Sequence, residues 1–189
     1  MMNIALFGTS ADPPTTAHQA ILQWLAEHYD QVSVWAADNP FKAHQTSLAH
    51  RLAMLRHLIA AMNLPRSNVQ VYEQFSDRRS LISLQRAKAW WGEDQDYSLV
   101  IGSDLMSQIP RWYQIEKLLS AVTLVIVPRS GHPITDPALA KIRQLGGDYR
   151  LAETEAPAIS STGYRLSKDQ TVLPAPVTAY IHQQKLYLS

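Results

Sequence analysis

The stretch F-G-T-S-A-D-P-P-T-T-A-H, residues 7–18, joins an apolar run to a helical pattern, and its composition decides what kind of connection it makes. Before it, residues 3–7 (NIALF) form a short, nearly continuous apolar run, as a strand buried on both faces requires. After it, Ile21, Leu22, Trp24, Leu25 and Tyr29 recur at the spacing of an amphipathic helix over 17–29. Within it, Gly8 permits a tight turn and a close backbone approach. Pro13 and Pro14 stiffen the loop, and Thr15 or Thr16 is placed to cap the helix. The free amides of that first turn, at the positive end of the dipole, suit an anion. His18, three residues beyond Thr15, lies on the same side of the turn. The stretch reads either as a phosphate cradle with a histidine reaching into it or as an ordinary capped helix with a surface histidine. It has neither GxGxxG nor GxxxxGK[ST], so the dinucleotide fingerprint and the P-loop do not apply.

Working outward, the same strand-to-helix alternation continues. A second strand is expected at 32–36, then a polar loop over 38–46. Leu48, Leu52, Leu55, Leu58, Ile59 and Met62 mark a helix that Ser47 can cap. Strands follow at 69–72, 97–101 and 122–127, with helices over 80–91 and 111–120 between them. Pro137 occupies a first-turn position for a helix over 138–145. A weak strand near 149–151 and a final helix from about Pro176 to Lys185 complete the pattern. Alternation this regular predicts an α/β fold, a doubly wound, Rossmann-like parallel sheet flanked by helices. With no internal repeat and no linker, 189 residues read as a single domain.

Composition removes several classes of function. There is no cysteine, so disulfides, thiolate nucleophiles and cysteine-type zinc sites are absent together, which fits a cytoplasmic protein. Seventeen Lys and Arg against sixteen Asp and Glu leave a net charge of +1, too balanced to attract nucleic acid or a membrane surface. No apolar run approaches the roughly 20 residues that span a bilayer, and the N-terminus does not resemble a secretory signal. Any anion must be held by placed cations and backbone amides.

In a doubly wound sheet, ligands bind beyond the carboxyl ends of the strands. The segments there are 8–18, 39–44, GSD at 102–104, PRSG at 128–131, and ISSTGYR at 159–165 before a short late helix. ISSTGYR makes a second anion cradle: two serines and a threonine offer hydroxyls and amides, and Arg165 follows Thr162 by three residues.

These residues resemble a family. FGTSADPPTTAH is similar to the (H/T)xGH signature of the nucleotidyltransferase superfamily, in its G-T-F-D-P-x-H-x-G-H form. ISSTGYR matches the late I-S-[ST]-T-x-[IL]-R motif. IGSD with RWYQIEKLL resembles the G-x-D…W-x-x-x-x-x-L-L segment of bacterial nicotinate mononucleotide adenylyltransferases, and LPAPVTAYIHQQKLY resembles their closing V-P-x-x-V-x-x-Y-I-x-x-x-x-L-Y. The resemblance runs from Ile4 to Tyr187. It implies adenylyl transfer from ATP to nicotinate mononucleotide with release of pyrophosphate, in NAD biosynthesis. The attacking group is already an anionic phosphate, so catalysis is expected to consist of positioning and charge stabilisation.

By resemblance, the roles are as follows. His18 donates to the α-phosphate oxygens and Thr15 assists at the neighbouring phosphate. Gly8 and Thr9 belong to the same ATP wall. Ser160, Ser161, Thr162 and Arg165 hold the β- and γ-phosphates, with Mg²⁺ bridging them. Gly102 and Asp104 contact the ribose or pyridine side, Trp112 stacks on the pyridine, Ser83 lies near the nicotinate, and Lys42 in NPFK holds the mononucleotide phosphate. Each role has a structural competitor: core packing for Trp112 in its helix, solvation for Lys42, a helix cap for Asp104. His44, His50 and His57 show no metal-ligand pattern. The pair Trp90–Trp91 reads as half core and half surface, with an exposed member suited to a contact between copies of the chain.

The sequence departs from the family pattern at three places. Thr15 replaces the first histidine, with Ala17 in place of the glycine. Ser10–Ala11 stand where phenylalanine precedes Asp12. Leu81–Ile82–Ser83 replace a serine–tyrosine–threonine run near the pyridine. The last departure leaves nicotinamide mononucleotide open as the acceptor, and Ala17 leaves open a non-catalytic nucleotide sensor on the same scaffold.

Overall fold

The computed structural model describes residues 1–38 and 46–188. Its centre is a six-stranded sheet, with β1 at Asn3–Thr9, β2 at Gln31–Ala36, β3 at Val69–Val71, β4 at Asp96–Gly102, β5 at Thr123–Val127 and β6 at Asp148–Leu151. The strand order is β3-β2-β1-β4-β5-β6 and every pairing is parallel. The chain winds outward from β1 through β2 to β3, then returns past β1 to lay β4 on its other side. Strand order therefore reverses between β1 and β4, where the carboxyl ends leave a crevice.

Helices cover both faces. They are α1 (Thr16–His28), α2 (Leu48–Ala61), α3 (Ser80–Trp91), α4 (Ile115–Leu119), α5 (Asp136–Gln144), α6 (Ser161–Ser167) and α7 (Ala175–Gln184). Because strand side chains alternate between faces, β1 sends Ala5 and Phe7 into one core and Ile4 and Leu6 into the other. The first core takes the buried faces of α1, α2 and α7, including Leu22, Leu25, Leu55 and Val177. The second takes Leu84 of α3, Leu118 and Leu119 of α4 and Ile142 of α5.

Two local expectations are revised. The helix expected over 111–120 is two pieces: a 3₁₀ turn at Ile109–Arg111, then α4 after Gln114, whose φ of 47° is left-handed. Trp112 lies between them in an extended conformation and belongs to neither helix. Gly8 sits inside β1 rather than in a turn. A Cβ there would lie 2.6 Å from the Trp35 indole, its register partner on β2, so the glycine makes room for that ring.

Candidate active site

The crevice between β1 and β4 opens into a cavity of about 900 Å³, large for a small-molecule site and sized for more than one ligand. Gly8, Thr9 and His18 form one wall, Ser160, Ser161, Thr162 and Arg165 a second, and Ser83, Gly102, Asp104 and Trp112 a third. Lys42 and His44 lie outside the described residues. Arg78, Arg79, Arg111 and Arg129 also face the cavity. A chain of nearly zero net charge thus gathers its cations where an anion would bind.

His18 is oriented by the helix it begins. It occupies the third position of α1, and its Nδ1 accepts the backbone N–H of Thr15, the residue before the helix, at 3.0 Å. This is the back-reaching half of a capping box, with histidine in the place usually held by Glu or Gln. The Thr15 hydroxyl lies 3.0 Å from the same nitrogen. With Nδ1 accepting, the proton of the neutral ring is on Nε2, which donates to Thr9 Oγ1 at 2.9 Å. The imidazole therefore presents an N–H at the cavity without needing to be charged. Thr15 is fully buried and is not among the lining residues. The hydroxyl expected to reach for a phosphate instead holds the ring of His18.

The second wall is tied to the first through the loop after β1. Ser161 Oγ donates to the Pro13 carbonyl at 2.8 Å, and Arg165 Nη1 donates to the Asp12 carbonyl at 2.6 Å. Arg165 Nη2 donates to Thr162 Oγ1 at 3.2 Å, and Ser160 Oγ caps α6 by accepting the Gly163 N–H at 2.9 Å. Ala11 carries this loop through a φ of 46°, and the Asp12–Pro13 peptide is cis. Asp12 is buried at 1 % exposure, and its Oδ1 accepts from Tyr187 at 2.6 Å and from Thr46 at 2.7 Å. Burial, then the hydrogen bond to Asp12, pushes the Tyr187 phenol far above its usual range, so it stays a donor.

On the third wall, Asp104 forms an ion pair with Arg129 at 3.1 Å rather than serving as a bare helix cap. Arg129 also donates from Nη2 to the Ile159 carbonyl at 2.7 Å, joining this wall to the second. A Cβ at Gly102 would press on the Asp104 carboxylate and on Arg129 Cδ, so the glycine leaves room for this ion pair. Ser83 is buried on this wall, and among the described residues its hydroxyl has no hydrogen-bond partner. Trp112 is half-buried on the same wall, and beside it Arg79 lies 4.4 Å over the Tyr113 ring.

Three residues of this architecture escape a sequence reading. Arg129 stands in PRSG directly after β5, and a cation at that position is its only signal. Arg51, on α2, is 1 % exposed; its Nη1 donates to the carbonyls of Ser10 at 3.0 Å and Ala37 at 2.8 Å, and its Nη2 pairs with Asp38. It joins the loops after β1 and β2. Its signal is a cation one turn from Leu48 and Leu55 on an apolar helix face. Tyr187 is visible only as the last residue of the closing motif; nothing in the sequence points to its partner, 175 residues away. His50 and His57 meet α7: His50 Nδ1 lies 2.9 Å from the Tyr180 hydroxyl, and His57 packs on the same ring at 5.0 Å. Trp90 is 60 % exposed, whereas Trp91 is half-buried. Among the described residues no three acidic, cysteine or histidine side chains converge on a metal position, and no helix is long and apolar enough to cross a membrane.

The chain is similar in sequence and in fold to known proteins. The cytidylyltransferase-like family matches residues 6–167. A probable nicotinate-nucleotide adenylyltransferase of Synechocystis sp. is 52 % identical over 198 residues, covering 98 % of this chain and 99 % of its own. One of Gemmatimonas aurantiaca is 30 % identical, over 98 % of this chain and 92 % of its own. Among solved structures, a Plasmodium falciparum nicotinic acid mononucleotide adenylyltransferase complexed with NaAD has the same fold, with a TM-score of 0.83 at 20 % identity over 99 % of this chain and 98 % of that one. By these likenesses the chain, with its three-walled crevice at the sheet's reversal point, belongs to the cytidylyltransferase-like family and, within it, to the nicotinate-nucleotide adenylyltransferases.

Proposed function

We propose that residues 1–189 form one nucleotidyltransferase domain, acting in the cytoplasm, that transfers the adenylyl group of ATP to nicotinate mononucleotide and releases pyrophosphate. The observation that carries this reading is the meeting of the His18 turn and the 160–165 segment across one cavity, through the Asp12 and Pro13 carbonyls. In the reaction, a phosphate oxygen of the mononucleotide attacks the α-phosphorus of ATP. A new P–O bond forms as the bond to the β-phosphate breaks, and the pair of electrons leaves with pyrophosphate.

The side chains position and stabilise, with no covalent intermediate on the protein. His18 transfers its Nε2–H bond from Thr9 to a non-bridging α-phosphate oxygen. Arg165, Ser160, Ser161 and Thr162 take the leaving phosphates. Asp104, held by Arg129, accepts from a sugar hydroxyl. Trp112 offers its face to the pyridine, and the Ser83 hydroxyl, without a partner among the described residues, donates to the carboxylate beside Arg78 and Arg79. Lys42 is assigned the mononucleotide phosphate. The crevice is rich in phosphate-binding groups and, among the described residues, holds no cluster of three acidic or histidine side chains, so Mg²⁺ would enter with the triphosphate. When bound, that ion neutralises charge on the departing pyrophosphate.

The test is pyrophosphate release from ATP and Mg²⁺ with each of two acceptors. Nicotinate mononucleotide is expected to exceed nicotinamide mononucleotide in kcat/KM by at least about 10²-fold, since a site built for a carboxylate leaves an unpaired group against the amide. Equal turnover would overturn the acceptor assignment. No release with either, alongside measurable ATP binding, would make the protein a sensor.

A further inference from the structure

We propose that Tyr187 is a positioning residue for adenylyl transfer, fixing through Asp12 the two carbonyls on which Arg165 and Ser161 are set. This rests on the reading of function given above. The contacts form a closed frame. The Tyr187 hydroxyl donates to Asp12 Oδ1 at 2.6 Å; the Asp12 carbonyl receives Arg165 at 2.6 Å; the Pro13 carbonyl receives Ser161 at 2.8 Å. Arg165 and Ser161 belong to α6, as does Tyr164, whose ring meets the Tyr187 ring edge-on at 5.8 Å and 90°. Tyr187 is itself held, with its carbonyl accepting from Lys168 Nζ at 2.9 Å.

The frame separates two jobs within one side chain. The ring of Tyr187 packs on Tyr164 in the first core. The hydroxyl is directed at Asp12, with Thr46 3.3 Å away. Thr46 donates to the same carboxylate oxygen at 2.7 Å. A buried carboxylate needs its donors to stay in one orientation. Loss of one donor frees Asp12 to turn, and its backbone carbonyl turns with it. Arg165 then loses the bond that aims it at the cavity. Sub-ångström changes of this kind act on the rate of a reaction that depends on positioning.

Tyr187→Phe keeps the ring and removes the hydroxyl. In the full chain, kcat for pyrophosphate release is expected to fall roughly tenfold, with KM for the mononucleotide changed less than about twofold. In an Arg165→Lys background the same substitution is expected to cost much less than roughly tenfold, because both act through one contact. Tyr180→Phe removes the α7 hydroxyl that meets His50 at 2.9 Å and touches neither Asp12 nor α6 in the frame above, and should leave kcat within about twofold. The outcomes are distinct. An active wild type with an equally active Tyr187→Phe overturns the positioning role, whatever happens to the melting temperature. Additivity with Arg165→Lys also overturns it. If Tyr187→Phe fails to fold, Thr46→Val decides: a kcat lowered roughly threefold supports the frame, and an unchanged kcat makes it purely structural. A wild type that releases no pyrophosphate overturns the reading of function itself.

Discussion

At the scale of single residues, the proposed reaction turns on one imidazole whose tautomer is set by a backbone amide. Thr15 N–H occupies Nδ1 of His18, so the N–H that faces the cavity is on Nε2 and persists while the ring is neutral. His18→Ala is expected to lower kcat by about 10²–10³, the scale for removing a donor to developing charge. Thr15→Val should lose less than roughly tenfold, since the amide that fixes the tautomer remains; both are read from steady-state pyrophosphate release. The sequence made His18 and the 160–165 hydroxyls visible because they fall within four residues of a helix start. It placed Thr15 one contact too far forward, as a phosphate ligand instead of a support for His18. A cap residue and its third neighbour look the same from sequence whether either faces a ligand or each faces the other.

Among the elements, the strands were readable because parallel strands covered on both sides are nearly continuous apolar runs. The segments after them could be listed as site walls for the same reason. The helix over 111–120 was misjudged because Ile115, Leu118 and Leu119 keep helical spacing whether or not the preceding turn is helical. The left-handed Gln114 divides it and frees Trp112 to reach the cavity wall. Arg51 shows what spacing does not convey: a helix can supply one buried cation that holds two loops belonging to other elements. Arg51→Met keeps most of the side-chain volume and leaves the Ser10 and Ala37 carbonyls without that donor. A stability loss of about 2–4 kcal/mol is expected in urea denaturation, because breaking a buried polar cluster from one side strands its partners. An unchanged midpoint would show that the two loops hold their positions without it.

For the whole molecule, four phenols link stability to alkaline pH. Burial raises the pKa of Tyr72, Tyr97, Tyr164 and Tyr187, with Tyr97 pushed up to about 12. The folded state holds these protons more tightly than the unfolded chain, whose tyrosines ionise near 10.0. Their contribution is therefore complete below that pH and declines as pH rises above it. The melting temperature should fall steadily as pH rises from 10.0 toward about 12, and Tyr187→Phe should show a shallower fall, having one fewer such proton. An identical slope in the variant would remove Tyr187 from this linkage. The order of the six strands has no local trace in any one segment, and neither has the meeting of residues 12 and 187, which brings the segment after α7 against α6 and the loop after β1. One such neighbourhood has a hereditary meaning. Gly8 and Trp35 face each other across β1 and β2, and the indole fills the space a side chain at position 8 would need. Gly8→Ala alone should cost about 1–3 kcal/mol by overpacking, while Gly8→Ala with Trp35→Leu should recover part of it. The two positions are free to drift only as a couple, so a library randomising both should return them as matched small-and-large pairs.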